Sequence, residues 1–327
     1  GPSVELPATL GIATPKTNNC DLKTKGWELT IGWQDRTNFG MGYGIKFNVS
    51  DARTYIDRYP GNPTNSINTY IAGREIGEIW GFETVGIAKT DDEMQAHLNK
   101  VGGQSAIGSG VWTAGDIMYA DQDGKPGITK GAQTLEDHGD LKVIGNNTPR
   151  YHFGLDLNAN YKGFDVRLFF QGVMKRDYWQ GSNIFWGVGQ WGMWWSTGLK
   201  EHEDYFRDEP VGLAANVNSY YARPRFDSTQ NQETQTRYLQ DASYIRLKNF
   251  QLGYTLPASM IRKIGITNCR IFVSGENLWT GTKLSKLFDP ETISGGNTDS
   301  NASAPIKSAG NAYPLSRTWS FGLSVSL

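Results

Sequence analysis

The segment Arg317–Leu327, RTWSFGLSVSL, alternates between apolar and small polar residues. Successive side chains of an extended strand point to opposite faces, so Trp319, Phe321, Leu323 and Val325 share one face with Leu327. A soluble sheet would bury that face in a core. A membrane β-barrel would turn it toward lipid and the small polar face toward its lumen. The segment therefore predicts a strand and leaves both environments open.

Composition favours a β protein with at least one solvated face. The 327 residues include 39 Gly, 11 Trp, 15 Tyr and 14 Phe, and the mean hydropathy is −0.49. A formal net charge of −1 gives no electrostatic reason to expect nucleic acid. No apolar run reaches the roughly 18 residues of a transmembrane helix, whereas barrel strands need only about 9–11 half-polar residues. Two cysteines, Cys20 and Cys269, predict neither a disulfide framework nor a metal site.

The same alternation recurs along the chain, and one strand changes phase within itself. In SYIRLKNFQLGYTL, the apolar positions switch parity between Leu247 and Phe250, which predicts a β-bulge near Lys248–Asn249. The predicted strands are 3–10, 26–34, 41–54, 65–72, 76–88, 150–161, 164–174, 241–256, 268–279 and 317–327. The predicted lipid-facing residues are Trp27, Leu29, Ile31, Phe153, Leu155, Trp319, Phe321, Leu323 and Val325.

The connections fall into two length classes. Short turns at 35–40, 162–164 and 257–266 alternate with long segments at 89–149, 175–240 and 280–312, a pattern typical of outer-membrane barrels with short periplasmic turns and long external loops. About ten strands with an unpaired start would need partner strands to close. The first residues, GPSVELPATLG, also lack the features of a secretory signal. We therefore expect the C-terminal part of a larger protein.

Five stretches, taken in chain order, resemble the SusC-like group of TonB-dependent transporters. They include NCDLKTKGWELTIGWQD, FVSGENLWTGTK and AYPLSRTWSFGLSVSL; the five ranges are 19–35, 134–173, 238–257, 272–283 and 312–327. The resemblance implies a 22-stranded, plugged barrel in the outer membrane of a Gram-negative, Bacteroidota-like bacterium. The family usually closes on an aromatic residue, and Leu327 departs from that pattern.

The resemblance also implies partners and a function. On this interpretation residues 1–327 form the C-terminal part of the transmembrane barrel domain, an all-β antiparallel barrel, and the plug and the N-terminal strands are absent. The partners would be a SusD-like surface lipoprotein, the rest of the barrel and plug, TonB, outer-membrane lipid and a cargo. The cargo would be an oligosaccharide in preference to a peptide, and no reaction would be catalysed. The alternative is a soluble all-β carbohydrate-binding module.

The segment YWQGSNIFWGVGQWGMWW is dense in tryptophan and follows a predicted upward strand. Flat aromatic rings suit sugar faces, but they also suit packing within loops or against a partner protein and a girdle at the bilayer interface. Packing is the favoured interpretation. The residues concerned are Trp179, Trp186, Trp191, Trp194 and Trp195.

Polar residues in the first long segment, 89–149, give weak signals of chemistry. DQDGKPG contains two ligand positions of a calcium loop, Asp121 and Asp123, but no late bidentate Glu, so a plain turn is favoured over a calcium ion. Glu136, Asp137, His138 and Asp140 lie beside no nucleophile motif, which favours a loop-packing role over catalysis. DDEMQAHLNKV (91–101) predicts a short helix with Met94, Leu98 and Val101 on its inner side.

Overall fold

The computed structural model describes residues 18–108, 110–181, 183–187, 198–225, 228–293 and 314–326. The strands are β1 (Asp21–Arg36), β2 (Gly42–Arg58), β3 (Glu78–Phe82), β4 (Thr84–Ile87), β5 (Ile117–Tyr119), β6 (Leu141–Asn146), β7 (Arg150–Tyr161), β8 (Phe164–Lys175), β9 (Asp177–Tyr178), β10 (Gln240–Asp241), β11 (Tyr244–Thr255), β12 (Asn268–Thr282) and β13 (Thr318–Ser326). The helices are α1 (Asp91–Val101), α2 (Asn183–Trp186) and α3 (Ala258–Ile261), with 3₁₀ turns at Lys200–Glu203, Gln230–Gln232 and Arg262–Ile264.

Seven long strands form one antiparallel sheet in the order β1-β2-β7-β8-β11-β12-β13. The short connections β1–β2, β7–β8 and β11–β12 all lie at one end of this sheet. The long connections, residues 59–149, 176–243 and 283–317, all leave from the other end. The predicted antiparallel barrel wall, with its two classes of connection, is confirmed, and the sheet does not close on itself in the described part of the chain.

One face of this sheet carries a continuous apolar surface. A rung is a row of residues paired across neighbouring strands, and alternate rungs match apolar residues from strand to strand. Ile31 at one edge of the sheet is 58% exposed, and Phe321 at the other edge is 84% exposed. The next rung along the strands points to the opposite face and is polar or small. The apolar rung is Ile31, Phe47, Leu155, Phe170, Leu247 and Trp279; the polar rung is Thr30, Asn48, Gly154, Gln171, Arg246 and Thr280.

The predicted bulge is confirmed where the apolar phase of β11 changes. The pairing of β11 with both neighbours shifts between Leu247 and Asn249. Between the same two rungs β8 advances one residue, β11 advances two, and β12 advances three, from Trp279 to Glu276. Asn277, inside the longer path, has a φ of 54°. The bulge lets Leu247 and Phe250 share one face although their spacing is odd.

The prediction of two barrel crossings at 65–72 and 76–88 is wrong. β2 pairs directly with β7, while β3 pairs with β6 and β4 with β5 in separate two-stranded sheets. Apolar alternation has the same pattern whether it faces lipid or a small core, and here Ile67, Ile71 and Phe82 are buried among the loops. Because two crossings, an even number, are removed, the other strands keep their predicted directions. The predicted strand 3–10 lies outside the described residues.

The described parts of the long connections pack together into a second compact region, which we call the loop cap (residues 59–108, 110–149, 176–181, 183–187, 198–225, 228–240 and 283–293). Its core includes Phe82, Tyr119, Tyr178, Phe185 and Tyr238, all fully buried. The predicted helix is confirmed as α1: Thr90 caps its N-terminus and Gly102 ends it in the left-handed conformation. Among the described residues, we find no helix long and apolar enough to cross a membrane.

Candidate functional site

Two residues of the tryptophan-rich segment lie in an aromatic cluster of the loop cap. The Trp186 ring is 4.9 Å from that of Tyr238, in an edge-on arrangement, and 6.3 Å from that of Trp179. Trp186 is buried and Trp179 is half-buried, so these two rings pack within the loops. Trp191, Trp194 and Trp195 lie outside the described residues. The sequence interpretation missed the tyrosines that complete the cluster: Tyr220, Tyr221 and Tyr238.

A cavity of about 780 Å³ lies beside this aromatic cluster. Aromatic rings and both signs of charge line it: Trp186, Tyr205, Phe206, Glu203, Glu209 and Arg207 are among its residues. The Arg207 guanidinium lies 4.5 Å from the Tyr205 ring centre and donates to the backbone oxygens of Glu203 and Ala214. A cavity that combines flat rings with fixed polar groups is suited to an amphipathic ligand.

A buried ion pair holds two distant parts of the loop cap together. The Asp116 carboxylate is fully buried and accepts hydrogen bonds from the Arg225 guanidinium, with Nε 2.7 Å from Oδ1, and from Asn231 Nδ2 at 2.8 Å. Asn231 in turn accepts from the backbone N–H of Ile117. These partners are more than 100 residues apart, and no local motif marks them in the sequence.

A second polar group fixes α1 to the same core. Gln104 Oε1 accepts from the backbone N–H of Tyr119 at 2.7 Å and lies 3.0 Å from His97 Nε2. Because an amide oxygen only accepts, His97 Nε2 carries a proton in this arrangement. Burial lowers the pKa of His97, an effect that the hydrogen bond to Gln104 opposes. Burial also raises the pKa of Tyr119 well above its ordinary value, so its hydroxyl stays protonated and donates to the Gln230 oxygen.

Asp121 and Asp123, which the sequence marks only weakly as calcium ligands, lie close to a third carboxylate, that of Asp140. The oxygens of this group already accept backbone hydrogen bonds. Asp121 accepts from Gly124, Asp123 from Lys125, and Asp140 from both Gln122 and Thr129, at 2.7–2.9 Å. These bonds hold the turn; the plain turn that the sequence favours and the less favoured calcium ion both stay predictions.

The remaining acidic residues considered for catalysis are engaged in loop structure. Glu136 accepts from Asn65 Nδ2 and Asp137 accepts from the N–H of Ala132. The His138 ring packs 5.4 Å from that of Trp80. In the described chain these groups contact neighbouring loops, as expected for a packing role.

Residues 283–293, which we call the strap, fold back from β12 over the polar face of the sheet. Arg246, on that face, binds Asp289 at 2.6 Å and Glu291 at 2.7 Å, and Lys248 binds Glu291 at 2.8 Å. The Arg246 side chain is only 4% exposed. Lys248 is two residues from Arg246 along β11, so two cations of one strand hold two carboxylates of the strap.

No family model matches the sequence, but individual proteins do. The chain is 27% identical over 332 residues to "TonB-dependent receptor P3" of Formosa agariphila, an alignment that covers 98% of this chain and 30% of that protein. It is 24% identical over 340 residues to "TonB-dependent receptor P26" of the same organism, with 99% and 31% covered. The chain therefore spans about a third of the length of these curated relatives.

Solved structures agree on the fold. "Structure of the RagAB peptide transporter" superposes with a TM-score of 0.59 at 20% identity, covering 99% of this chain and 31% of that one. The RagAB peptide importer in its "open-open" state gives a TM-score of 0.61 at 21% identity, with the same coverage. The chain is thus a relative of the TonB-dependent receptors, as its sequence resemblance predicted, and its fold matches part of the chains in these solved structures.

Proposed function

We propose that this chain forms part of the wall and the external loops of an outer-membrane transporter that takes up a nutrient in a TonB-dependent manner. The observation that carries the proposal is the open apolar face of the seven-stranded sheet, opposite a polar face and joined to long loops at one end. Lipid would cover the apolar face, and the polar face would line the lumen. The chain would contribute binding and gated passage without bond chemistry.

The alternative, a soluble carbohydrate-binding module, needs a second sheet over the apolar face. Six residues test that requirement: Trp27, Ile31, Phe153, Leu155, Phe321 and Leu323. None of them belongs to the buried core of the described chain, and Trp27, Ile31, Phe321 and Leu323 are more than half exposed. A soluble protein rarely leaves so large a contiguous apolar surface open. The open face thus favours the transporter.

The loop cap is the part that would meet cargo and partner. We propose that the cavity beside Trp186 contacts an oligosaccharide or a peptide, and that a SusD-like lipoprotein covers the cap from outside. Rings such as that of Tyr205 would pack on sugars, whereas Glu203 and Glu209 would favour a basic peptide. The name of the solved neighbour supports the peptide, and the aromatic lining of the cavity supports the oligosaccharide that the sequence favours.

The first experiment is extraction of the native membrane assembly in detergent, with intact masses of every co-purifying chain. We expect the 327-residue sequence within a barrel-sized chain, together with a lipoprotein. Recovery in the detergent-free fraction would overturn the proposal. Uptake of labelled oligosaccharides and of labelled peptides by cells with the intact transporter then assigns the cargo. Tyr205→Ala should lower uptake of the true cargo, and Val85→Ala, an exposed change away from the cavity, serves as its control.

A further inference from the structure

The end of the sheet with the short connections carries a band of exposed aromatic residues. Phe39, in the β1–β2 turn, packs edge-on against Tyr161 with the ring centres 5.7 Å apart. Phe164, at the start of β8, lies 4.4 Å from Tyr254 of β11. Phe39 and Phe164 are more than half exposed. Aromatic rings collect where a bilayer meets water, so this band places the short turns at that boundary.

The β11–β12 connection differs from the tight β1–β2 and β7–β8 turns at the same end of the sheet. It forms the single helical turn of α3, followed by the 3₁₀ turn Arg262–Ile264, and Gly265 ends it with a φ of 77°. Ile261 packs inward and is 5% exposed, whereas Met260 and Ile264 are 65% and 70% exposed. Both residues lie within the same short connection. This connection therefore exposes two large apolar side chains at the short-turn end of the sheet.

Basic residues are frequent at this end of the sheet. Arg262 and Lys263 are exposed in the same connection, Lys162 is exposed in the adjacent β7–β8 turn, and Arg36 is exposed in the β1–β2 turn beyond it. The acidic residues nearby are fewer: Asp35 is exposed, and Asp165 is already bound to Arg270 at 2.5 Å. The short-turn end thus combines apolar side chains, aromatic rings and an excess of positive charge, the combination found in segments that lie in a membrane interface.

We propose that the connection 257–266 is a lipid-binding site, in which Met260 and Ile264 enter the acyl chains and Arg262 and Lys263 bind the phosphate of an anionic phospholipid. The lipid is in the leaflet facing the short turns, which is the periplasmic leaflet in the proposed orientation. The apolar face of β11 and β12 leads directly into this connection through Leu252, Tyr254 and Ile271, so lipid covering the wall would also cover the turn. The inference rests on the transporter proposal for its orientation and not on the cargo.

The test uses the complete transporter in nanodiscs that contain phosphatidylglycerol and phosphatidylcholine, with native mass spectrometry of the lipids that remain bound. Arg262→Gln with Lys263→Gln should lower retention of phosphatidylglycerol roughly tenfold or more, because each basic residue near an anionic surface contributes about a fivefold change. Met260→Ser with Ile264→Ser should lower retention of both lipids. Lys89→Gln with Lys100→Gln, two exposed lysines of the loop cap, is the matched control.

A photo-crosslinker at position 260 gives an independent measurement. Attachment to lipid supports the site. Attachment to protein, such as a plug domain, overturns it, and so does lipid retention that is unchanged or falls equally in the control. Uptake assays on the same variants separate the two proposals. If a variant still imports its cargo and its lipid retention is unchanged, only the lipid site is refuted and the transporter proposal stands.

Discussion

Arg150, the first residue of β7, forms a two-point ion pair with Asp51 of β2, and both side chains are nearly buried. The pair lies just beyond the last β2–β7 rung, Ser50 with His152. The chain returns to the sheet from the first long connection at Arg150, whereas β2 continues past Asp51 to Arg58 in its pairing with β1. Arg150 and Asp51 therefore fix the point at which residues 59–149 rejoin the sheet.

Breaking this pair should destabilise the junction of wall and loop cap. Asp51→Ala leaves the Arg150 guanidinium nearly buried without its carboxylate, and we expect a loss of about 3 kcal/mol of stability. Urea unfolding of the detergent-solubilised transporter, followed by the loss of its barrel-specific gel mobility, measures this loss. Asp21→Ala, which removes the exposed pair with Arg58, should have a much smaller effect, because solvent screens an exposed pair. Equal effects of the two changes would contradict the prediction.

The Asp116 ion pair should hold the two halves of the loop cap together. Asp116→Ala leaves Arg225 and Asn231 without their buried acceptor, so residues 84–119 and 228–236 should both become more open. Hydrogen exchange of their amides measures this directly. Asp208→Ala removes the largely exposed pair with Arg223 and should leave exchange in both segments nearly unchanged. Faster exchange in only one segment after Asp116→Ala would show that the pair does not couple them.

The loop cap should lose stability in mild acid because of His97. Its pKa in the folded state is lowered, so the unfolded chain binds the proton at a higher pH than the folded chain does. Stability is therefore complete above the ordinary pKa of 6.5 and is lost as the pH falls below it. Lys100 adds to this effect, and Gln104 opposes it. Protease resistance of the cap measures the loss when it is compared at about one pH unit above and about one pH unit below 6.5.

His97→Gln provides the control for the acid effect. Glutamine does not titrate in this range, so the pH dependence of cap protection should become flatter, even if the overall protection is lower. An unchanged pH profile in this variant would assign the effect to another group.

The acidic turn should be held by its backbone hydrogen bonds rather than by a metal. Asp140→Ala removes the acceptors of the Gln122 and Thr129 amides and should cost roughly 2 kcal/mol or more. EDTA should leave the thermal unfolding of the wild-type transporter unchanged. A lower unfolding temperature in EDTA, restored by calcium and absent from the Asp140→Ala variant, would instead identify a calcium site at Asp121, Asp123 and Asp140.

Local patterns were enough to predict the barrel wall. Alternation along each strand gave seven correct positions, and the parity change in β11 gave the bulge, because both signals involve residues within a few positions of each other. The strands at 65–72 and 76–88 failed for a physical reason. The side chains of Ile71 and Phe82 alternate as barrel residues do, but they are buried against partners from distant loops.

The candidate site depended on contacts that no local pattern encodes. Asp116 binds Arg225, which is 109 residues away in the sequence. Trp186 packs on Tyr238, and the sequence marks only the tryptophan side of this contact. Two tryptophans could be identified as packing residues from their composition and position. The tyrosines and the buried carboxylate that complete the site required the three-dimensional structure.

The bulge has a consequence for comparing this chain with its relatives. Between the same two rungs, β8 advances by one residue, β11 by two and β12 by three. Neighbouring strands therefore use different numbers of residues to cover the same distance. When this chain is aligned with a regular strand and insertions are confined to loops, the one extra residue of β11 moves residues near Lys248 to the wrong face of the sheet. The two extra residues of β12 keep the face but shift the pairing near Asn277 by two positions. Against a regular strand, gaps therefore belong inside these two strands, at Lys248 and between Glu276 and Trp279.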